Sequence, residues 1–543
     1  MRIIVSNNIR IQNAPTPIKS MLTKQLTYKN PAYEKARKMG RRAWGIPSKL
    51  ELFIYDRGDL VVPRGFLNEI LLLTKDSDIP ITYKQQEGRQ EDFGPWNDSF
   101  ILRDYQKPMI RLLTRNNGIG VAPAGSGKTV MGLRYILVKG VSAVWLTHTV
   151  DLLRQTKANA EKLLKGVGKI GQFGGGKQEW GDGKLIVATV QTLQANPHLV
   201  EAMNEFIGTV VIDEAHHFPS TQFIDTAGLF KAKNMIGLTA TPSRKDGLDM
   251  YMYRGVGPKV HEVKRDNLYE EGSLILPKVE FIYTNFDYEY ASDRNEINSV
   301  DAGGDDLDYS DLLQRLISDD ERKELVAETI VKHAGDGPAI VITESVRYCF
   351  ELQQLVNEKL PHARTAVVHG GLTRTKWVAK QPAEQFVLDQ KKTAAGKRYK
   401  VENYTAEEFK AWQVTKRQRE EIMQKANNKE IDILFATQLA REGLDMPHLT
   451  TGHMVMPKRG DTGKSKNGGA VEQEIGRIMR RDPANPEKQA TWFDYVDHKV
   501  GVLNSQYYSR RKVYKRLGIK LKSKPRTDPD EIADFLSKTN LFI

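Results

Sequence analysis

A single cysteine, Cys349, in 543 residues leaves nothing from which to build a disulfide framework or a Cys-rich zinc site. It stands in the apolar run AIVITESVRYCF, where a small buried hydrophobe is expected. No apolar run reaches the roughly 18 residues a membrane-spanning helix needs, so no such span is expected. The N-terminal MRIIVSNNIRIQ lacks the apolar core of a secretory signal, and a cytoplasmic location is expected. Internal repeats and long low-complexity tracts are missing as well. Acids are the scarcer charge: 68 Asp and Glu stand against 81 Lys and Arg, for a net +13 and a pI near 9.3. Such an excess favours polyanionic partners.

The basic residues are not spread evenly. Lys35 to Lys49 holds six Lys or Arg and no acid, and Tyr507 to Arg526 holds nine and no acid. Acids gather instead in DRNEINSVDAGGDDLDYSD, residues 293–311. An apolar fraction of 40% is enough for real cores, and the length is too great for one, so several domains are expected. Residues 1–96 read as a small α+β unit with strands IRI, LELFIYD and DLVVPRGF, a hairpin turn at Arg57-Gly58-Asp59, and a basic helix PAYEKARKMGRRAW. Residues 97–270 alternate helices with short apolar runs: AVWLTHT, KLIVATV, TVVIDEA and MIGLTAT. These suit strands buried in a parallel sheet. An acidic linker or surface loop is expected near 286–310. Residues 271–500 repeat the α/β pattern with PAIVITES, TAVVHGG, IDILFAT, TGHMVMP and ATWFDYV. The stretch between TAVVHGG and IDILFAT is long for one crossover, and 372–414 reads as a helical insertion. Residues 501–543 form a basic extension.

The strongest chemical signal is Ala122-Pro123-Ala124-Gly125-Ser126-Gly127-Lys128-Thr129, a phosphate-binding loop with alanine in place of the first glycine. Small residues let successive backbone N–H groups face phosphates, and the following helix adds its positive end. Lys128 reaches the β- and γ-phosphates of ATP, and the Thr129 hydroxyl can hold Mg²⁺. Further on, TVVIDEAH ends an apolar strand in two acids. Asp213 suits the Mg²⁺ water shell, and Glu214 suits a general base for the attacking water.

Asp213-Glu214-Ala215-His216 resembles the DEAH box of superfamily 2 helicases, and other segments follow in the family's order. Arg103 and Gln106 resemble the adenine-reading segment. Thr239-Ala240-Thr241 resembles the threonine motif that, with His216, couples ATP to the track. Gln473-Glu474-Ile475-Gly476-Arg477-Ile478-Met479-Arg480 resembles the arginine-finger motif, and Thr437-Gln438 with Arg441-Glu442-Gly443-Leu444-Asp445 the motif before it. The resemblance implies two RecA-like P-loop lobes with parallel sheets, ATP and Mg²⁺ as cofactors, and Arg477 and Arg480 on one helix face. FGGGKQEWGDGKLIVATVQTL, VGPKVHEVKRDNLYEEGSLILPKV and DHKVGVLNSQYYSRRKVYKRLGI resemble the phage branch-migration and XPB-like DNA helicases.

The resemblance further implies nucleic-acid contacts at Thr147, His148, Thr189, Gln191, Thr192, Ser345, His369, Gly370 and Thr437. Short polar side chains suit phosphates, which carry no sequence information. Each threonine and serine could equally cap a helix or end a strand. Arg37, Lys38, Arg41, Arg42, Arg510 and Arg511 lie in the basic clusters and are expected to meet DNA. The expected partner is DNA (duplex, forked or branched, with a single strand in the motor track) and no membrane; for a phage-encoded member the location is the host cytoplasm. An RNA helicase and an ATP-switched binding protein remain alternatives.

Overall fold

The computed structural model describes residues 1–38, 43–75, 78–217, 228–240, 248–288, 309–370, 377–380, 385–388, 403–405, 411–437, 446–461 and 469–521. Two compact units, Met1–Leu274 and Ile275–Ile543, divide it.

The first unit opens with a five-stranded sheet made of β1 (Arg2–Val5), β2 (Asn8–Gln12), β5 (Ile54–Asp56), β6 (Asp59–Pro63) and β7 (Ile81–Tyr83), in the order β5-β6-β2-β1-β7. A second ladder pairs β3 (Thr27–Lys29) with β4 (Lys49–Glu51). Alternation puts Ile3, Val5, Ile9, Ile11, Leu60 and Val62 inside, as a half-buried sheet requires. The hairpin turn is met at Arg57 and Gly58, with φ of 50° and 87°, the left-handed pair of a tight two-residue connection. The basic helix runs Pro31–Lys38. Beyond β6 the chain docks on the neighbouring lobe. Buried Arg64 donates to Ala232 O at 2.7 Å and Lys233 O at 3.2 Å, and a Cβ on Gly65 would lie 2.4 Å from Arg254 O.

The larger sheet of this unit has eight strands: β8 (Gly118–Val121), β9 (Ala143–Thr147), β10 (Ile170–Gly174), β11 (Lys177–Gly181), β12 (Leu185–Thr189), β13 (Thr209–Ile212), β14 (Asn234–Thr239) and β15 (Lys259–Glu262). Their order is β11-β10-β12-β9-β13-β14-β8-β15, parallel except for the β10–β11 hairpin. The apolar runs of β8, β9, β12 and β13 are buried along their whole length, as strands covered on both faces are. Helices Gln106–Arg115, Lys128–Lys139 and Val150–Leu163 pack along the sheet.

The second unit carries a six-stranded, all-parallel sheet: β16 (Lys278–Tyr283), β17 (Ala339–Ile342), β18 (Thr365–Val368), β22 (Ile433–Ala436), β23 (Thr451–Met454) and β24 (Thr491–Val496). Its order is β16-β24-β23-β17-β22-β18. Cys349 is buried in helix Val346–Lys359, inside the apolar core. Buried Arg322 is fully engaged: it pairs with Asp497 at 2.7 Å and donates to Tyr348 Oη and Val455 O, both at 2.9 Å. The insertion corrects an expectation. Among its described residues are three strands, β19 (Trp377–Lys380), β20 (Gln385–Leu388) and β21 (Asn403–Thr405), in one antiparallel sheet. Lys, Gln and Glu pointed to a helix, but the valines and aromatics of WVAK and QFVL favour strands. Most of the acidic 286–310 segment lies outside the described residues.

Among the described residues no helix is long and apolar enough to cross a membrane.

Candidate ATP site and nucleic-acid track

A parallel sheet brings the carboxyl ends of its strands to one edge, and the candidate site is assembled there. From β8 the chain enters the phosphate loop, with Ala122 N donating to Thr239 O at 2.9 Å. Gly125 and Gly127 take φ of 81° and 79°, a region costly for any residue with a Cβ. At Gly127 space is short too, since a Cβ would sit 2.6 Å from Gln106 Nε2. Ala124 is half-buried in the loop. Helix Lys128–Lys139 starts directly behind it, with Thr129 in its first turn.

Gln106 is buried at 4% exposure and braces the loop: its Nε2 donates to Ser126 O at 2.8 Å, and its Oε1 accepts from Arg103 N at 3.0 Å. Arg103 Nη1 donates to Tyr105 Oη at 2.9 Å. The Arg103–Gln106 segment is thus tied mechanically to the loop it accompanies.

Lys128 Nζ lies 3.1 Å from Glu214 Oε1, Glu214 Oε2 lies 3.3 Å from His216 Nδ1, and that nitrogen is 2.8 Å from Thr239 Oγ1. One continuous polar chain therefore joins the phosphate loop, Glu214 and His216 after β13, and Thr239 at the end of β14. Glu214 sits at φ 44°, a strained backbone for a non-glycine residue, fixed by those partners. Asp213 is 4% exposed and accepts from Glu214 N at 3.0 Å. Burial, with Glu214 alongside, pushes its carboxyl up to about 6, while Lys128 opposes the shift. Thr241 lies outside the described residues.

The expected track residues divide by exposure. Thr147 is fully buried and donates to Thr149 O at 3.1 Å, and Thr189, at 4%, bonds to Thr192 Oγ1 at 2.8 Å. Ser345 is fully buried and caps helix Val346–Lys359, accepting from Tyr348 N at 3.3 Å. Buried His369 shares its Nε2 with Trp412 O at 2.8 Å, and Thr437 is 7% exposed. All five are buried, and Ser345 takes the capping alternative. His148, Gln191, Thr192 and Gly370 are at least partly open. Gln191 Nε2 donates to His148 O at 3.0 Å, and Gly174 packs onto Thr189. The loops after β9, β10 and β12 therefore share one edge.

In the second unit helix Gly469–Ile475 carries Gln473, but it ends before the arginines. Arg477 N donates to Glu474 O and Ile478 N to Ile475 O, tight i→i+3 turns. Arg477 lies in this turn and Arg480 just beyond it, in a β-bridge, so the pair is not on the expected helix face. Gln473, Arg477 and Arg480 are all half-buried. Gln438, Arg441, Gly443 and Asp445 lie outside the described residues.

Arg510 and Arg511 are a correction. Arg510 is 1% exposed, donates to both carboxylate oxygens of Asp494 at 2.9 and 2.7 Å, and reaches Lys458 O at 3.0 Å. Arg511, 8% exposed, donates to Tyr507 Oη at 2.7 Å. A buried, paired guanidinium is a fastener for helix Gly501–Arg516 and is withdrawn from phosphate. Arg37 is exposed; the Lys38 side chain, Arg41 and Arg42 are outside the description. Lys488, a lone lysine in RDPANPEKQA with no motif signal, is buried behind the arginine segment.

Residues 99–244 match the family described as "Type III restriction enzyme, res subunit", and residues 377–482 match "Helicase conserved C-terminal domain". A curated relative, the "DNA 3'-5' translocase XPB2" of Sulfurisphaera tokodaii, is 27% identical over 393 residues, covering 71% of this chain and 80% of its own. The crystal structure of T4 UvsW aligns over 95% of this chain and 98% of its own at 15% identity and a TM-score of 0.37. Dbp5 of S. cerevisiae, bound to RNA and ADP BeF3, aligns over 80% of this chain and 92% of its own at 14% identity with a TM-score of 0.50, a likeness of fold. The two matched segments lie in order along one polypeptide, and the chain is similar to the ATP-dependent helicases of superfamily 2 across both.

Proposed function

We propose that the chain is an ATP-driven DNA helicase or translocase that unwinds duplex DNA or remodels forks and junctions in replication, recombination or repair. The polar chain Lys128–Glu214–His216–Thr239 carries the reading, because it links the phosphate loop to the ends of β13 and β14 in the same sheet as β9 and β12. The XPB2 relative's description as a DNA translocase supports DNA over RNA.

In this reading Lys128 and the loop amides hold the triphosphate. A hydroxyl and a buried carboxylate form a hard-oxygen donor set, so Thr129 and Asp213 fit Mg²⁺, which would neutralise phosphate charge. Glu214, released from Lys128 when the lysine turns to phosphate, takes a proton from the attacking water. Arg477 and Arg480 meet the charge that develops on the γ-phosphoryl group. Gln106 and Arg103 read the adenine, and Gly443 and Asp445 complete the nucleotide contacts. His148, Gln191, Thr192 and Gly370 contact the backbone of a single strand, with Thr147, Thr189, Ser345, His369 and Thr437 setting their loops. The test is an ATPase and unwinding panel of forks, Holliday junctions, single strands and RNA duplexes. DNA should stimulate hydrolysis and be unwound; equal or better unwinding of RNA would overturn the assignment.

The two basic ends should behave oppositely. Alanine at Arg37, Lys38, Arg41 and Arg42 should weaken fork binding and flatten its salt dependence, because cations on phosphate release counterions. Arg510→Ala should leave the salt slope alone and lower the melting temperature. It strands buried Asp494, a loss of roughly 3–5 kcal/mol for a broken buried pair. Salt titrations and thermal melts of each variant check both. A wild-type slope in the N-terminal variant would make that cluster ordinary solvated surface.

A further inference from the structure

Three backbone carbonyls converge on the ammonium of Lys488. It donates to Pro447 O at 2.7 Å, Ile478 O at 2.9 Å and Arg480 O at 2.7 Å, and the residue is 5% exposed. An ammonium has three protons, and each finds an acceptor here. One acceptor lies between the two arginines, one belongs to Arg480 itself, and the third, Pro447, stands two residues past the Arg441–Asp445 motif. Met479 O, between the first two, accepts from Ile275 N at 2.8 Å, so every carbonyl of Ile478–Arg480 is held. The regular helix ends at Ile475, and the turn continues it through the i→i+3 bonds of Arg477 and Ile478.

We propose that Lys488 is a positioning residue for ATP hydrolysis: its ammonium locks the Arg477–Arg480 turn to the segment after the preceding motif, and so sets where the two guanidiniums point. The proposal rests on the arginine-finger reading above. Arginine fingers act on charge in the transition state, and displacement of such a group by about 1 Å can cost 10²-fold in rate. Lys488 need not touch nucleotide to have that effect.

The surroundings fit a charge that is held but not neutralised. Burial pushes the Lys488 ammonium down to about 8, with Arg480 adding to the shift and Asp482 opposing it. Asp482 is itself shared with Lys429 at 3.5 Å, and His448 lies close to both lysines and to Asp482. Above that pH the amine is neutral and keeps only two protons for three carbonyls, so the turn loosens without any change in sequence.

The experiment uses the full chain with saturating ATP and single-stranded DNA. Lys488→Met keeps the stem and removes the donors. We expect kcat to fall about 10²-fold, with KM for ATP and binding of a non-hydrolysable ATP analogue within about twofold of wild type, since the phosphate loop is untouched. Lys488→Arg, always charged and with donors to spare, should recover most of the rate. In wild type kcat should fall reversibly above pH 8, and in Lys488→Arg it should not. Arg480→Ala is run alongside. If it leaves kcat intact, the finger reading itself fails. If Arg480→Ala loses rate while Lys488→Met does not, the positioning role alone is overturned. Should Lys488→Met fail to fold, the wild-type profile decides: a kcat constant to pH 9.5 overturns the proposal, and a reversible loss above 8 supports it.

Discussion

Lys128→Ala is expected to hydrolyse no ATP above background while the protein keeps its fold. Phosphoryl transfer depends on placing and neutralising charge, and this lysine is the cation of the phosphate loop. It pairs with Glu214 at 3.1 Å, and both side chains keep some solvent access, at 10% and 20% exposure. The pair is a small part of the lobe's stability beside its apolar core. Melting should therefore move little, and loss of turnover cannot be blamed on unfolding. Glu214→Gln separates binding from chemistry. It keeps the shape of the side chain and a polar contact to His216, but it cannot take a proton, so ATP should bind and persist. Nucleotide-binding titrations and single-turnover hydrolysis on both variants check this. Full turnover in Lys128→Ala would remove the phosphate-loop assignment, and a Glu214→Gln variant unable to bind nucleotide would make Glu214 structural.

How far such residues could be read without a structure depends on whether their chemistry is local. AVWLTHT, KLIVATV, TVVIDEA and MIGLTAT became β9, β12, β13 and β14 because strands covered on both faces are apolar throughout, and that leaves a mark in every one of them. The phosphate loop was legible because its spacing is its mechanism. Arg57-Gly58 announced a hairpin because few residue pairs tolerate two positive φ angles.

What stayed hidden was pairing across long sequence distance. Arg510 sits in a dense, acid-free cluster and reads as a phosphate contact. Its partner Asp494 lies 16 residues upstream in an apolar strand, and only the fold shows that the helix turns the guanidinium inward. Lys488 is hidden for the same reason, because its acceptors are carbonyls, and every residue has one. Thr147 and Ser345 were placed on the correct strand ends, but a hydroxyl that faces phosphate and one that closes a turn look alike in a sequence.

Arg477→Ala and Arg480→Ala are expected to lower kcat by orders of magnitude and leave nucleotide affinity nearly unchanged. An arginine supplied to a γ-phosphoryl group during transfer is worth roughly 10³–10⁵ in rate. That energy appears in the transition state, so ground-state binding hardly feels it. The local structure favours such a role. The helix that leads in, Gly469–Ile475, is pinned at its start, with Arg516 Nη1 2.6 Å from Glu472 Oε2, and near its end, where Lys458 pairs with Glu474. The guanidiniums then leave from a segment in which the carbonyls of Ile478, Met479 and Arg480 are engaged. So much fixing of a short segment costs conformational freedom, and it suits a group whose position must be held to a fraction of an ångström. Arginine to lysine at either position should recover little, since a point charge cannot replace a planar fork with five donors. The measurements are kcat at saturating ATP and DNA, and the dissociation constant of a non-hydrolysable ATP analogue. If affinity fell in step with rate, the pair would be binding ground-state nucleotide. If both alanine variants turned over at the wild-type rate, the charge on the γ-phosphoryl group would have to be met by other residues.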